Sequence, residues 1–462
     1  MNVSISSSRN ACALFAASLL AATTQAQTSL TIAGPSAGSD FGRSVSKISD
    51  ISGDSLPDFI VGAPGAIDPA TGLQVGGVYI YNGATGGVVN LTSNGPLGGI
   101  HGSNQNAAFG TSVASPGDLD GDSFGDIVVG DPFNNLANVY MGKGGGFIRN
   151  LTVPTVGNWV AGQPGPFAIT PNQFGFCVAD AGDVNADGIN DIIVGGPSTA
   201  VFNWQTQVNN NGAGMIVIYD GLTGANIMQV ASNGSFTGLY GQTLDQNLGW
   251  SVGTVGDWDG DGFDDVFATS PNDGTGFGKV TVFSGQWIST INVANPPTIP
   301  LELAEFYGST SGSYLGLDAE PTGDLDGDGI RDLLVGGFDN SFAFSSTSTM
   351  GSPVVIHTIV NLQPGDYQYI AGGEDLDADG TDDIVVGPWT VDSTQKTKKA
   401  SAYNGVSGAF MFHPTAPVRA GNVFDIALIA DTSGNSQAEV VMGFPSATIG
   451  GQALGQVTLY LQ

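Results

Sequence analysis

The chain has 462 residues, of which 41% are hydrophobic, 11% are charged and 71 are glycine. This composition fits a turn-rich protein with an apolar core and does not fit a disordered chain. The formal charge of −31 comes from 42 acidic and 11 basic residues. It speaks against a nucleic-acid partner, because binding phosphates requires cationic side chains.

The first 26 residues have the features of an export signal. Arg9 precedes an apolar run over residues 11–22, and Thr24 and Ala26 supply the small residues of a cleavage site after Ala26. The run is shorter than the ~20 residues of a spanning helix, and no later run reaches that length. We therefore expect a signal peptide over residues 1–26; the alternative is a disordered or anchoring tail. The mature chain is then secreted, periplasmic or displayed at the cell surface, without a transmembrane segment.

Short β-strands separated by Gly, Asn and Pro follow the signal. A leading segment at residues 29–32 is followed by a first unit with runs at residues 41–45, 59–64, 77–83 and 87–91. Related runs return in six further units, and the last run covers residues 457–460. No segment shows a helical period, so the sequence predicts an all-β protein.

Each unit contains an acidic window of nine residues. In the second unit the window begins at Asp118 and places carboxylates at positions 1, 3, 5 and 9. Four carboxylates so close together would repel one another strongly. Hard cations such as Ca²⁺ take six to eight oxygens, and one coiled segment can supply most of them. The carbonyl of Phe124, at position 7, is expected to fill a further place, so the spacing predicts a calcium site.

The window recurs at intervals of 51 to 74 residues, which predicts a repeat architecture. Six copies keep the spacing, and their candidate metal ligands are Asp50, Ser52, Asp54 and Asp58; Asp118, Asp120, Asp122 and Asp126; Asp183, Asn185, Asp187 and Asp191; Asp257, Asp259, Asp261 and Asp265; Asp324, Asp326, Asp328 and Asp332; and Asp375, Asp377, Asp379 and Asp383. The seventh copy, at Asp431, has lost most of its carboxylates, which makes an ion there doubtful. We expect about six Ca²⁺ ions that stabilise the fold and perform no chemistry. The alternative is a set of Asp/Gly turns that cap their own backbone without metal.

The runs after the windows predict how the units pack. They are continuously apolar, as at residues 127–129 and 192–194, which is typical of strands buried on both faces between stacked sheets. Seven four-stranded antiparallel units stacked in a ring form a seven-bladed β-propeller, here expected as a single domain over residues 27–462. The last unit lacks a strand after Leu459, and the segment at Leu30 belongs to no complete unit. Pairing these two segments would close the last blade, whereas an open array would leave an exposed edge.

The motif Phe41-Gly42, linked by an acidic window to residues 61–64 (Val-Gly-Ala-Pro), resembles the FG-GAP repeat of the integrin α-subunit propeller. The resemblance covers roughly residues 29–462. It implies a seven-bladed propeller with Ca²⁺ in the hairpin between the first and second strands of a blade, on the face opposite the ligand-binding loops. Three units depart from the motif by replacing Phe-Gly with Leu248-Gly249, Leu315-Gly316 and Phe424-Asp425.

The sequence contains no pattern that predicts catalysis. His101, His357 and His413 are far apart and accompany no nucleophile motif. Gly-x-Ser-x-Gly, His-Glu-x-x-His and phosphate-loop patterns are absent. Cys12 would leave with the signal, so Cys177 is expected to be a lone buried thiol without a disulfide partner.

Two exposed-looking tryptophans in loops between second and third strands, Trp204 and Trp389, are candidate ligand-binding residues. Each could stack on a sugar ring or anchor a protein partner, or could instead pack on a neighbouring blade. We predict a non-catalytic adhesion or recognition module for a protein or glycan partner. The alternative is a carbohydrate-active enzyme, a lyase or glycosidase, that uses acids near the central channel.

Overall fold

A computed structural model describes residues 28–90, 99–105, 108–153, 167–170, 173–203, 208–227, 239–240, 246–273, 276–290, 301–338, 340–360, 367–389, 400–414 and 424–461. The expected signal peptide, residues 1–26, lies outside these ranges. No helix in the described part of the chain is long and apolar enough to cross a bilayer.

Seven antiparallel sheets form a seven-bladed β-propeller, which confirms the predicted fold class. The strands of blades 1 to 4, from the channel outward, are Ser44–Ile48, Asp58–Ala63, Gly77–Tyr81 and Val88–Val89; Val113–Gly117, Asp126–Asp131, Leu136–Tyr140 and Phe147–Thr152; Cys177–Gly182, Asp191–Gly195, Met215–Tyr219 and Leu239–Tyr240; and Val252–Gly256, Asp265–Ser270, Lys279–Phe283 and Glu302–Tyr307. Those of blades 5 to 7 are Asp318–Pro321, Leu333–Gly336, Asn340–Phe344 and Val355–Val360; Tyr367–Glu374, Asp383–Trp389, Ser401–Tyr403 and Phe410–Phe412; and Asp425–Ile429, Glu439–Phe444, Gln456–Leu461 and Thr28–Ala33. Ile100–His101 adds a further short strand to blade 1.

The first strand of each blade lines a central channel. Each first strand packs against the first strands of the two neighbouring blades, and that of blade 7 packs against that of blade 1. The channel walls accordingly contain residues from all seven blades.

The second strands supply the core between blades. Asp58–Ala63 and Asp126–Asp131 are buried at every residue, and so are their counterparts Asp265–Ser270 and Glu439–Phe444. Continuously apolar runs therefore lie between sheets, as the sequence predicts, because both faces of a blade are covered by its neighbours.

The chain ends share blade 7. Thr28–Ala33 pairs antiparallel with Gln456–Leu461, with Leu30 opposite Leu459 and Ile32 opposite Val457. The last blade is therefore built from both ends of the described chain.

The Phe-Gly and Gly-Ala-Pro motifs meet where adjacent blades touch. Phe41 and Gly42 lie before the first strand, whereas the predicted run at residues 41–45 includes them in that strand. The Gly42 amide donates to the Gly62 carbonyl of the same blade (3.0 Å). A Cβ on Gly62 would lie 2.2 Å from the carbonyl oxygen of Gly110, the corresponding Phe-Gly glycine of blade 2. Gly110 has φ of +91°, a conformation that favours glycine. These glycines let neighbouring blades approach at backbone distance.

Three small elements lie outside the predicted pattern. A helix, Gly285–Thr290, joins the third and fourth strands of blade 4, and the Ser284 hydroxyl caps it by accepting from the Trp287 amide (3.2 Å). Six residues are too few for a helical period to be visible in the sequence. The others are a sheet of Phe167–Thr170, Ala200–Asn203 and Val208–Asn210, and a hairpin of Thr448–Ile449 and Gln452–Ala453.

Candidate metal centres

All seven acidic windows occupy the hairpin between the first and second strands of a blade. The hairpins of blades 3, 4 and 5 line one shared surface depression that includes Gly182, Asp257 and Gly329. The windows therefore gather at one end of the ring, which we call the metal-loop face.

The first carboxylate of a window organises its loop. Oδ1 of Asp118 accepts hydrogen bonds from the amides of Gly121 (2.7 Å) and Asp122 (3.1 Å), and Oδ2 accepts from Ser123 (2.7 Å). The same three bonds recur in the windows that begin at Asp50, Asp324, Asp375 and Asp431. The loop amides thus coil around the first side chain.

Left-handed backbone at positions 4 and 6 produces this coil. Gly121 and Ser123 have φ of +83° and +71°, and Gly327 and Gly329 have +83° and +90°. Glycine adopts such angles without the steric cost that a Cβ brings, which explains why glycine recurs at these positions.

The carboxyl at position 9 is fully buried in every window. In blade 2, Asp126 accepts from the amide of Leu119 (2.9 Å) within the loop and from that of Gly142 (3.0 Å) after the third strand. Burial raises the pKa of Asp126 to about 6 and that of Asp265, in blade 4, to about 8. This position therefore joins the loop to the body of its blade, a role that the spacing alone does not predict.

Four windows bring three carboxylates together, with one oxygen of each lying within 4.8 Å of the others. The triads are Asp118, Asp120 and Asp122; Asp257, Asp259 and Asp265; Asp324, Asp326 and Asp332; and Asp375, Asp377 and Asp383. The described chain thus forms carboxylate clusters in the windows that the sequence identified, although the blade 2 triad does not include Asp126.

The window of blade 4 shows how well the residues fit a cation. Oδ2 of Asp261 is buried without a hydrogen-bond partner among the described residues. Partial burial, and then the charges of Asp261 and Asp257, raise the pKa of Asp259. An oxygen-preferring divalent cation would supply the missing partner and relieve the repulsion, so this donor set fits Ca²⁺.

The windows of blades 1, 3 and 7 form no such triad among the described residues. Ser52 and Asn185 replace the position 3 carboxylate in blades 1 and 3, and Asp431 and Glu439 are the only acids left at ligand positions in blade 7. The Asp431 loop nevertheless keeps its coil through amides of its own backbone.

A set of side chains after the third strands, which the window spacing does not predict, also reaches the metal loops. Asn82 donates to Asp54 Oδ2 (2.6 Å) and Ser52 Oγ (2.9 Å) in blade 1. Asn404 donates to Asp379 Oδ2 (2.7 Å) and Asp377 Oδ2 (3.1 Å) in blade 6. In blade 3, Asp220 accepts from Asn185 (3.3 Å). The recurring order Tyr, then Asn or Asp, then Gly at the end of the third strand is the signal that could have revealed them.

The two predicted ligand-binding tryptophans are not placed by the structure. Trp204 lies outside the described residues, next to the strand Ala200–Asn203. The backbone of Trp389 ends the second strand of blade 6, but its side chain is outside the described part.

The histidines have separate surroundings. His101 contacts the Tyr79 hydroxyl (3.2 Å), His357 contacts the Gly405 carbonyl, and His413 contacts Ser401 Oγ (3.1 Å).

Cys177 is a free thiol that lines the channel, and burial raises its pKa to about 12. The thiol is therefore protonated at neutral pH.

The channel holds a second group of acids. It encloses about 440 Å³. Burial, reinforced by the charge of Asp425, raises the pKa of Asp318 to about 8. Burial also raises the pKa of Asp425 to about 6 and that of Glu320 well above its usual value. The Glu320 side chain is exposed to the solvent space inside the channel, and the seven blades surround that space.

Fold and site together define a seven-bladed β-propeller with acidic hairpin loops on one face. Residues 41–81 match the FG-GAP repeat family model. Over 55% of its own length, the chain is 30% identical to integrin alpha-5 of Xenopus laevis. Over 38% of its own length, it is 35% identical to integrin alpha-11 of Homo sapiens. It is 33% identical to integrin alpha-V of Gallus gallus over 35% of its length. The matches cover 22%, 14% and 15% of these curated relatives, so the chain spans about a fifth of their length or less. The chain thus contains an FG-GAP repeat at residues 41–81 and resembles integrin α chains over part of its length.

Proposed function

We propose that the chain is an exported calcium-binding propeller that acts as a non-catalytic adhesion or recognition module for a protein or glycan partner. The observation that carries this proposal is the set of four carboxylate triads in equivalent hairpins of an FG-GAP propeller. The similarity to integrin α chains supports a recognition role and a location outside the cell.

Calcium suits the loops better than other biological cations. The donors are carboxylate, amide and carbonyl oxygens on a flexible coil, whereas zinc sites favour nitrogen and sulfur and magnesium demands a rigid octahedron. With Kd of ~10⁻⁴–10⁻³ M and external Ca²⁺ near ~1 mM, each site would add about 0.4–1.4 kcal/mol. Six sites would add on the order of 2–8 kcal/mol, comparable with the stability of a whole domain.

The face opposite the metal loops carries the candidate recognition elements. The connection between the second and third strands of blade 3 leaves at that end and forms the strands Ala200–Asn203 and Val208–Asn210, with Trp204 between them. A third strand, Phe167–Thr170, extends this small sheet. This three-stranded sheet is a suitable support for a binding loop.

Calcium titration with thermal melting tests the proposal. We expect the melting temperature to rise with Ca²⁺ and to fall with EDTA, and an unchanged value in both would refute calcium binding. Ligand-array binding of the calcium-loaded protein then tests recognition. Trp204→Ala and Trp389→Ala should reduce binding with folding intact, and undiminished binding in both would exclude these loops.

One observation favours an enzyme as the second candidate. Asp318 and Glu320 line the channel with raised pKa values, as a general acid requires. Polysaccharide turnover that persists in EDTA and disappears in Glu320→Gln would favour this lyase or glycosidase alternative over pure binding.

A further inference from the structure

A cavity of about 310 Å³ opens between blades 1 and 2, away from the metal loops. Asp131, the last residue of the second strand of blade 2, lies at the end of that strand opposite the acidic hairpin. The cavity has the volume of a small-ligand site. Its functional groups come from Phe109, Asp131, Asn138, Tyr140, Phe147 and Asn150.

Asp131 lines this cavity and has one carboxylate oxygen without a partner among the described residues. The residue is 4% exposed, and its Oδ2 accepts a hydrogen bond from the Asn134 side chain (2.8 Å). Its Oδ1 is buried with no partner among the described residues. An unpaired buried carboxylate oxygen costs free energy that a bound hydrogen-bond donor would recover.

The acid is not required by the blade. Asp131 is the fifth residue after the buried carboxyl at position 9 of its window. The corresponding residue is uncharged in the six other blades, where it is Ala63, Gly196, Ser270, Gly337, Pro388 and Phe444. Blade 2 alone therefore places a carboxylate at this point of the interface between blades.

Two asparagines and an aromatic wall lie beside Asp131. Asn138 pairs with Asn150 across the third and fourth strands, and Tyr140 pairs with Phe147. The Tyr140 ring contacts Phe147 (centroids 5.6 Å apart) and Phe109 (5.9 Å). Asn138 is 7% exposed and Phe147 is 55% exposed. The cavity therefore combines a buried amide with an exposed aromatic ring.

These groups match the chemistry of a sugar. Hydroxyl groups donate to carboxylates and both donate to and accept from amides, and the C–H face of a pyranose packs against an aromatic ring. A small ammonium ion could donate to Asp131 and to the asparagine carbonyl oxygens, but as a donor only it would leave the asparagine N–H groups unmatched. We propose that the cleft between blades 1 and 2 binds one residue of a neutral glycan, with Asp131, Asn138 and Asn150 hydrogen-bonding its hydroxyls and Phe147 stacking on its face.

This inference deepens the proposed function by naming a partner class and a place for it. Saturation-transfer NMR on the full chain would use the methyl glycosides of glucose, galactose, mannose and N-acetylglucosamine as probes, with methylammonium as the competing class. At least one glycoside should receive saturation. Phe147→Ala should weaken its binding about tenfold, the size of one aromatic contact. Asn150→Ala and Asp131→Asn should weaken it as well.

Phe133→Ala is the matched control, because Phe133 is an exposed phenylalanine in the adjacent turn that does not line the cavity. Glycoside binding lost in Phe147→Ala and kept in Phe133→Ala supports the cleft. No glycoside binding, glycoside binding unaffected by Phe147→Ala, or binding of methylammonium alone would each overturn it. Melting the same samples with Ca²⁺ and EDTA separates the two proposals: a calcium shift without sugar binding overturns only the cleft, and sugar binding without a calcium shift overturns only the calcium sites.

Discussion

The backbone amide of Asp183 donates a 2.8 Å hydrogen bond to Oδ2 of Asp264, although the two residues belong to the metal loops of different blades. The Asp264 amide returns a bond to the Asp183 carbonyl (3.1 Å). Asp183 is the first residue of its window, and Asp264 directly precedes the buried carboxyl Asp265. A similar link runs from the Ala438 amide to the Asp375 carbonyl (2.8 Å), so neighbouring loops are joined at these two interfaces.

Asp264→Ala should lower the free energy of unfolding by about 1 kcal/mol, because it leaves the part-buried Asp183 amide without its side-chain acceptor. Urea unfolding in EDTA measures this loss without a calcium contribution. Asp264→Asn is the matched variant, since an amide oxygen can still accept. Equal losses in both variants would show that charge, and not the hydrogen bond, matters at this link.

Asp326→Asn should remove one calcium site while leaving the calcium-free fold intact. Asp326 is exposed and accepts one loop bond, from the Asp328 amide (3.2 Å), which asparagine can also accept. The stabilisation by ~1 mM Ca²⁺ should shrink by about 0.4–1.4 kcal/mol, the contribution of one site. Isothermal titration should count one fewer ion, whereas Glu302→Gln, an exposed acid outside the loops, should leave the count unchanged.

Gly62→Ala should destabilise the propeller by about 1–3 kcal/mol, because the new Cβ would lie 2.2 Å from the Gly110 carbonyl oxygen of the next blade. Chemical denaturation followed by far-ultraviolet circular dichroism measures this effect. Gly87→Ala is the control, since Gly87 is exposed and the nearest atom to its Cβ, Thr85 Oγ1, lies 3.2 Å away. Similar losses in both variants would contradict a blade-to-blade role for Gly62.

Stability should fall as the pH rises from about 4 to about 8, in part through Asp318. Burial, reinforced by Asp425, raises the pKa of Asp318 to about 8, so the folded chain retains a proton that an unfolded carboxyl, with a pKa of ~3.9, has already lost. The favourable contribution is thus complete below the unfolded pKa and is lost as the pH approaches the folded value.

Melting temperatures of wild type and Asp318→Asn across this pH range, in EDTA, test the assignment. Asparagine can still accept from the Ile370 amide (3.0 Å) but does not ionise, so the variant should lose less stability on the alkaline side. Parallel curves for the two proteins would mean that Asp318 does not contribute to the pH dependence.

Much of the fold was predictable from residues near one another in the sequence. The regular spacing from Asp118 to Asp126 locates a tight acidic hairpin, and the apolar run after it locates a strand buried between sheets. Both patterns are local. The coil of a loop depends on its own glycines and carboxylates, and the burial of a strand is visible in the apolar character of its own side chains.

The sequence by itself determined the all-β propeller, its seven units and the acidic hairpins on which the calcium proposal rests. The tertiary structure alone decided that Asn82 and Asn404 reach the loops and that Asp264 joins two windows. It also decided that Asp131, with one oxygen unpaired among the described residues, lines the same cavity as Phe147. The physical reason is that these contacts join strands or blades that are distant in sequence. Their side chains meet only after the strands and sheets have packed, and the local order of residues does not show which partner each side chain reaches.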